Sequence, residues 1–389
     1  MRKIALLLLL FISLPGYMQN KQQVDVYWDK INEYRRAAEK KPNDADIYRK
    51  WGSTLINLAR LNDDSELYRN GVDILQKAAD LDIGNYETFY AWGVGLYFFA
   101  QQNDSLELYK ESLQKYQRAS LLRPNNADFY SDWGVTQARL AGLTKDTVLY
   151  KRSIDKFLKA KEIRYDDPNI DFRWGVTLID LAALTNDPEL YKESIKKFQF
   201  VSTYLWPNKN PYVFYYWGIA LRNLAQLTND PKLYKKSVDK FMDFLRLSPD
   251  NPNWGSVLTQ LRLTKTELFE SIKNCRMAAE KQSDNPFIYN NWGLALICLA
   301  ESTNAPQLYR ESIVQFQKAA ELIPENARFY YNIARSYSLL NEKDSTFEYL
   351  EKSFQYPPTR VYLENDFWLD ALKDDPRFRE LLDKYLPEK

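Results

Sequence analysis

Histidine is absent from the 389 residues, which removes the usual general base and the commonest metal ligand. The only thiols are Cys275 and Cys298, too few to build a zinc site. Cys275 stands where sister segments carry Phe157 or Phe198, so it reads as a small buried hydrophobe rather than half of a disulfide. Carboxylates do occur in pairs, at Asp63-Asp64 and Asp166-Asp167, the raw material of acid–base catalysis. Both pairs fall at predicted turns and helix starts, where a carboxylate caps free backbone N–H groups. No Gly-rich phosphate loop, nucleophile elbow or zincin pattern occurs. The sequon Asn103-Asp104-Ser105 lies on a predicted turn, and one such match is expected by chance in a chain of this length. These residues predict a non-enzymatic protein with no cofactor and no metal.

Composition narrows the partners. A net charge of +1 leaves no basic excess to neutralise phosphates, so nucleic acid is not expected. Hydrophobic residues are 45% and charged residues 27%, enough for a folded core. Residues 1–16 read as a signal peptide, with Arg2-Lys3 ahead of the apolar run from Ile4 to Leu14 and Gly16 as the small residue for cleavage. That run is too short to span a bilayer comfortably, so no membrane span is expected after its removal. The expected location is the periplasm or the cell exterior, with association to an outer membrane possible in principle.

The elements that must position any site repeat along the chain. Trp-Gly recurs at 51, 92, 133, 174, 217, 254 and 292, with Trp-to-Trp steps of 41, 41, 41, 43, 37 and 38 residues. A period in this range means stacked supersecondary units. Three residues before the Trp stands an aromatic, as in Tyr48, Phe89, Tyr130, Phe214 and Tyr289, with Asp171 the departure. Apolar spacing after Trp174, at Leu178 and Leu181, describes one face of a helix A. A turn with Asp64, Ser105, Asp146, Asp187 or Asp230 as cap precedes helix B, which carries Tyr191, Ser194, Phe198 and Val201 on one face. The glycine lies mid-helix, where it costs about 1 kcal/mol relative to alanine. Its recurrence predicts a close approach, with a large side chain of the partner helix packed where a Cβ would clash.

The order in the second repeat, Phe89, Trp92, Gly93, Ser112, Tyr116, Ala119 and Pro124, is similar to the tetratricopeptide repeat (TPR). The resemblance covers residues 27–356 and implies an all-α fold, an α-solenoid of about eight helix-turn-helix repeats. The period exceeds the usual 34 residues, and the extra length falls between the glycine and the small residue, which predicts longer hairpins at the A–B turn. Repeat six is three residues short between Trp254 and Ser271 and predicts an irregular joint. Residues 24–43 are expected to form an N-terminal capping helix, 44–356 the repeat array, and 357–389 C-terminal capping helices.

By this resemblance helix A lines a concave groove that binds protein or peptide segments. Two positions vary where their neighbours repeat. Two residues before the Trp stand Arg49, Tyr90, Ser131, Phe172 and Tyr215; six after it stand Asn57, Phe98, Arg139, Asp180 and Asn223. Both rows are candidates for the partner-binding groove. The residue after each glycine is never Asn, so the clamp some relatives use for a C-terminal carboxylate is not matched. The rival reading, on 28 Tyr and 10 Trp, is a glycan-binding module of an outer-membrane uptake system; a hydrolase ranks last.

Overall fold

A computed structural model describes residues 17–62, 64–204, 210–251, 254, 257–258, 263–356, 372 and 375–385. The expected signal peptide, the irregular joint of repeat six and most of the segment after residue 356 lie outside the described residues. The described residues form helices and no strand: α1 (Tyr17–Lys40), α2 (Ala45–Asn62), α3 (Ser65–Leu81), α4 (Tyr86–Asn103), α5 (Leu106–Leu122), α6 (Ala127–Thr144), α7 (Thr147–Ile163), α8 (Pro168–Thr185), α9 (Pro188–Tyr204), α10 (Pro211–Thr228), α11 (Pro231–Leu247), α12 (Lys265–Lys281), α13 (Pro286–Thr303), α14 (Pro306–Leu322), α15 (Ala327–Leu339), α16 (Lys343–Phe354) and α17 (Pro376–Tyr385). No helix among them is long and apolar enough to cross a membrane.

Two compact units divide the chain, one of residues 1–208 and 219–231, the other of 209–218 and 232–389. In the first, α2·α3, α4·α5, α6·α7 and α8·α9 pack as A–B hairpins, the B helices α3, α5 and α7 each meet the next A helix, and α2, α4, α6 and α8 also touch in series. In the second, α13·α14 and α15·α16 repeat the pattern, and α13 touches α15. There Phe378 and Leu381 of α17 close the core around Phe347, Leu350 and Phe354. This is the α-solenoid class, with helical hairpins stacked in sequence and atypical ends.

The extra length of each repeat is helix. The A helix runs 18 residues and the B helix 17 in repeats one to five, joined by two residues. The first of the two is left-handed, at Asp104, Lys145, Asn186 and Asn229 in repeats two to five and again at Asn304 in repeat seven. The second caps helix B: Asp64, Ser105 and Asp146 accept from N–H groups of the first turn, and Asp187 accepts from Glu189 N–H at 2.9 Å. The cap's own N–H returns to an alanine carbonyl eight residues past the Trp, as from Asp146 to Ala141 at 3.0 Å. This alanine recurs at 59, 100, 141, 182, 225 and 300 and is buried each time, a periodic signal that the aromatic positions overshadow.

Lys145, at φ 55°, is the one side chain in these five turns that is neither Asn nor Asp. A left-handed residue with a full side chain costs about 1–2 kcal/mol, which glycine avoids. Lys145→Gly should therefore stabilise the protein by about 0.5–1 kcal/mol, read as a higher urea midpoint. An unchanged or lower midpoint would mean that the turn carries no strain.

The Trp-Gly pair sits where helix A meets helix B. A Cβ on Gly134 would lie 3.0 Å from the Phe157 ring, one on Gly175 3.0 Å from Phe198, and one on Gly293 2.5 Å from Phe316. Beside it the small residue of helix B donates to the glycine carbonyl: Ser112 to Gly93 at 2.7 Å, Ser153 to Gly134 at 2.7 Å and Ser194 to Gly175 at 2.8 Å. The hydrogen bond spans 19 residues in each of these hairpins.

Candidate functional site

Trp92, Trp133 and Trp217 are covered on both faces. The aromatic three residues earlier stacks on each ring, with centroids 6.3 Å apart for Phe89–Trp92 and Tyr130–Trp133 and 6.4 Å for Phe214–Trp217. A lysine 23 residues later lies over the ring: Lys115 on Trp92 at 3.6 Å, Lys156 on Trp133 at 4.0 Å, Lys197 on Trp174 at 3.4 Å and Lys240 on Trp217 at 4.5 Å. Cation–π contacts of this kind contribute about 1–2 kcal/mol when desolvated, and burial pulls the Lys156 ammonium below its ordinary pKa. These rings offer no open platform to a sugar, and no observation favours the glycan reading.

The row two residues before the Trp lies in the seam between successive A helices. The Tyr90 hydroxyl donates to Asp132 Oδ2 at 2.6 Å, and its ring lies 4.7 Å from that of Phe129. Arg173 Nη1 donates to Ser131 Oγ at 2.9 Å and pairs with Asp132 at 2.5 Å. Arg49 pairs with Asp46 and, at 3.2 Å, with Glu87 of the next A helix. Ser131 and Phe172 are only 4% and 6% exposed, and Phe172 meets Phe198 edge-on. Tyr215 is half-buried against Phe241 and Phe244. The second unit repeats the rule, with Asn332 donating to Asn290 at 2.8 Å. Arg49, Tyr90 and Ser131 therefore join repeats, whereas Phe172 and Tyr215 pack their rings on helix B of their own hairpins. Tyr90, Ser131 and Asn290 are each matched to the residue just before the next repeat's Trp position, Asp132, Arg173 and Asn332, and Arg49 to Glu87, so at these positions variation is matched across the joint.

The row six residues after the Trp keeps access to solvent. Asn57 is exposed, and Phe98, Arg139, Asp180 and Asn223 are half-buried. All five stand at one register on α2, α4, α6, α8 and the part of α10 in the first unit. Beneath them run the recurrent tyrosines of helix B, of which Tyr109, Tyr150 and Tyr191 are nearly or fully buried. Burial raises all three phenols above their ordinary range. Arg139 draws Tyr109 and Tyr150 back down, and a hydrogen bond from Asn223 does the same for Tyr191. The Arg60 guanidinium lies 4.2 Å over the Phe98 ring. Asp180 has no hydrogen bond or ion pair among the described residues; enclosure of its carboxyl pushes it up to about 8, with Arg139 pulling the other way. Enclosure favours the neutral form of Asp180, and no ion pair joins it to Arg139 among the described residues.

Sequence reasoning missed both the lysines on the tryptophans and the ion pairs of Asp171. Lys161 lies 2.7 Å and Lys197 3.1 Å from its carboxylate, which is 5% exposed. Cys275 is buried and free; Cys298, six residues after Trp292, is half-buried and free. Burial pushes the Cys298 thiol up to about 11 and Cys275 higher still.

No family model matches the chain, and no curated protein matches it. Solved structures do. The C-terminal part of a TPR repeat-containing protein from Cytophaga hutchinsonii is 15% identical, with 81% of this chain and 98% of that one covered and a TM-score of 0.42. YrrB, described as a TPR protein with an unusual peptide-binding site, is 18% identical over 53% of this chain and 97% of its own, with a TM-score of 0.34. PilF of Pseudomonas aeruginosa is 11% identical over 75% and 97%, with a TM-score of 0.35. The chain is a TPR-like helical repeat array. That statement rests on its own paired helices and Trp-Gly joints; identities and TM-scores of this size add no argument about ligand or location.

Proposed function

We propose that this protein is a non-enzymatic exported scaffold that binds a protein or peptide segment along the row six residues after each Trp. The observation that carries the reading is the contrast between the two variable rows. In the earlier row Ser131 and Phe172 are buried and Arg49, Tyr90 and Ser131 are engaged across repeats, whereas Asn57 is exposed and Phe98, Arg139, Asp180 and Asn223 are half-buried at one register on consecutive helices. A partner laid across them meets amide, aromatic and charged groups already held by packed helices, so little ordering entropy is lost on this side. Export is supported by the signal-like residues 1–16.

Panning a library of random dodecapeptides against the mature chain tests the reading. Enriched peptides should lose binding to a Phe98→Ala/Asn223→Ala variant of unchanged helicity, and the tagged full chain should be recovered from the envelope fraction of its host. Equal capture by the variant removes the row as the site, and recovery from the cytoplasm removes export.

A further inference from the structure

Arg139 differs from the arginines that close the seams. Arg49, Arg173 and Arg335 each meet a carboxylate, at 2.5, 2.5 and 3.5 Å. Arg139 meets none among the described residues; its Nε, like those of Arg49 and Arg335, is shut from solvent without a hydrogen-bond partner, but those two have a carboxylate at the other end of the guanidinium. The enclosed Tyr109 hydroxyl lies beside it, and its pKa is drawn back down by that guanidinium. A guanidinium held in a partly desolvated site without a counter-charge is costly, and its planar fork matches a carboxylate. Asp180, the nearest acid on the neighbouring A helix, leaves that seat open.

The register sets the rest of the ligand. Packed helices stand about 8–10 Å apart, and an extended chain advances about 3.3 Å per residue, so one repeat corresponds to about three ligand residues. One repeat before Arg139, Phe98 offers an aromatic face backed by Arg60. Building on the reading of this row as the binding surface, we propose that it selects an extended internal peptide segment in which an aspartate or glutamate seated on Arg139 is spaced three residues from a large apolar side chain seated on Phe98.

The probes are fluorescein-labelled, C-terminally amidated nonapeptides on a serine background, with Leu and Glu at i and i+3 in either order. Controls replace Glu by Gln, move the pair to i and i+1, or carry their only carboxylate at a free C-terminus. Anisotropy with the full chain at pH 6.5 should show one order of the Leu/Glu peptide binding about tenfold tighter than its Gln control. Arg139→Gln should abolish that preference while leaving the weaker binding of the Gln peptide, and Arg139→Lys should restore part of it. Raising the pH to 9 ionises Asp180, whose charged and titratable neighbours are Arg139, Tyr150 and Tyr191, with Arg222 beside Tyr191. The ionised carboxyl then competes for Arg139, so the preference should shrink in wild type and persist in Asp180→Asn. Equal binding of the Glu and Gln peptides, a preference that survives Arg139→Gln, or tightest binding of the free C-terminus overturns the inference and leaves the binding row standing. Failure of every peptide, Gln controls included, overturns both.

Discussion

Asp171→Asn should destabilise this protein by about 2–3 kcal/mol, among the larger single-residue effects available in it. Removing one partner of a buried ion pair costs about 3–5 kcal/mol, because a charge stays behind without compensation. Here two ammonium groups stay behind, Lys161 and Lys197, on a carboxylate that is 5% exposed. The lower end of the range applies, since the lysines are 13% and 20% exposed and can extend toward water, and Lys197 keeps its seat on Trp174. Sister repeats carry an aromatic in place of Asp171 and a small or apolar residue, Ser120 or Ala79, in place of Lys161. The double variant Asp171→Tyr/Lys161→Ser should therefore recover most of the lost stability by restoring the stacked arrangement seen at Tyr130–Trp133. Urea unfolding followed by circular dichroism reads both. A single variant that unfolds at the wild-type midpoint would show that the pair contributes nothing.

Asp171 also shows how far the sequence could be read. Its departure from the aromatic pattern was visible, and so was Lys161 as a departure from Ser120 and Ser202. Neither meant anything until the fold brought the two together. The A–B hairpin was legible because a glycine in mid-helix is unfavourable by itself and needs a partner to justify it. Gly134 and Ser153 supply that reason within one hairpin, at a separation that does not drift. The lysines over the tryptophans were not legible, because Lys115 or Lys156 on an amphipathic helix looks like a solvated charge. The cross-repeat contacts of Tyr90 and Ser131 were not legible for a related reason. Tyr90 varies relative to Ser131 because Asp132 and Arg173 vary with them across the joint, and a comparison at one register cannot separate matched change from free drift. Arg139 and Asp180 were found by that same comparison, and what distinguishes them is that neither forms an ion pair among the described residues.

Gly293→Ala should lower stability by about 1–3 kcal/mol, against the helix propensity of the residue introduced. Alanine in a helix interior is about 1 kcal/mol better than glycine, so propensity alone predicts a gain. The new Cβ, however, would stand 2.5, 2.7 and 2.8 Å from three atoms of the Phe316 ring, and Phe316 is fully buried. Overpacking of this kind costs about 1–3 kcal/mol beyond any local gain, because a close-packed interior has no space into which the ring can move. The sign is the test. In a Phe316→Val background the ring is gone, the collision goes with it, and Gly293→Ala should become neutral or stabilising by up to about 1 kcal/mol. Chemical denaturation of the four proteins of this cycle gives the coupling directly. A Gly293→Ala penalty that persists unchanged without the Phe316 ring would mean that the glycine is needed for its backbone, and that the close approach of the two helices is not what the Trp-Gly pair secures.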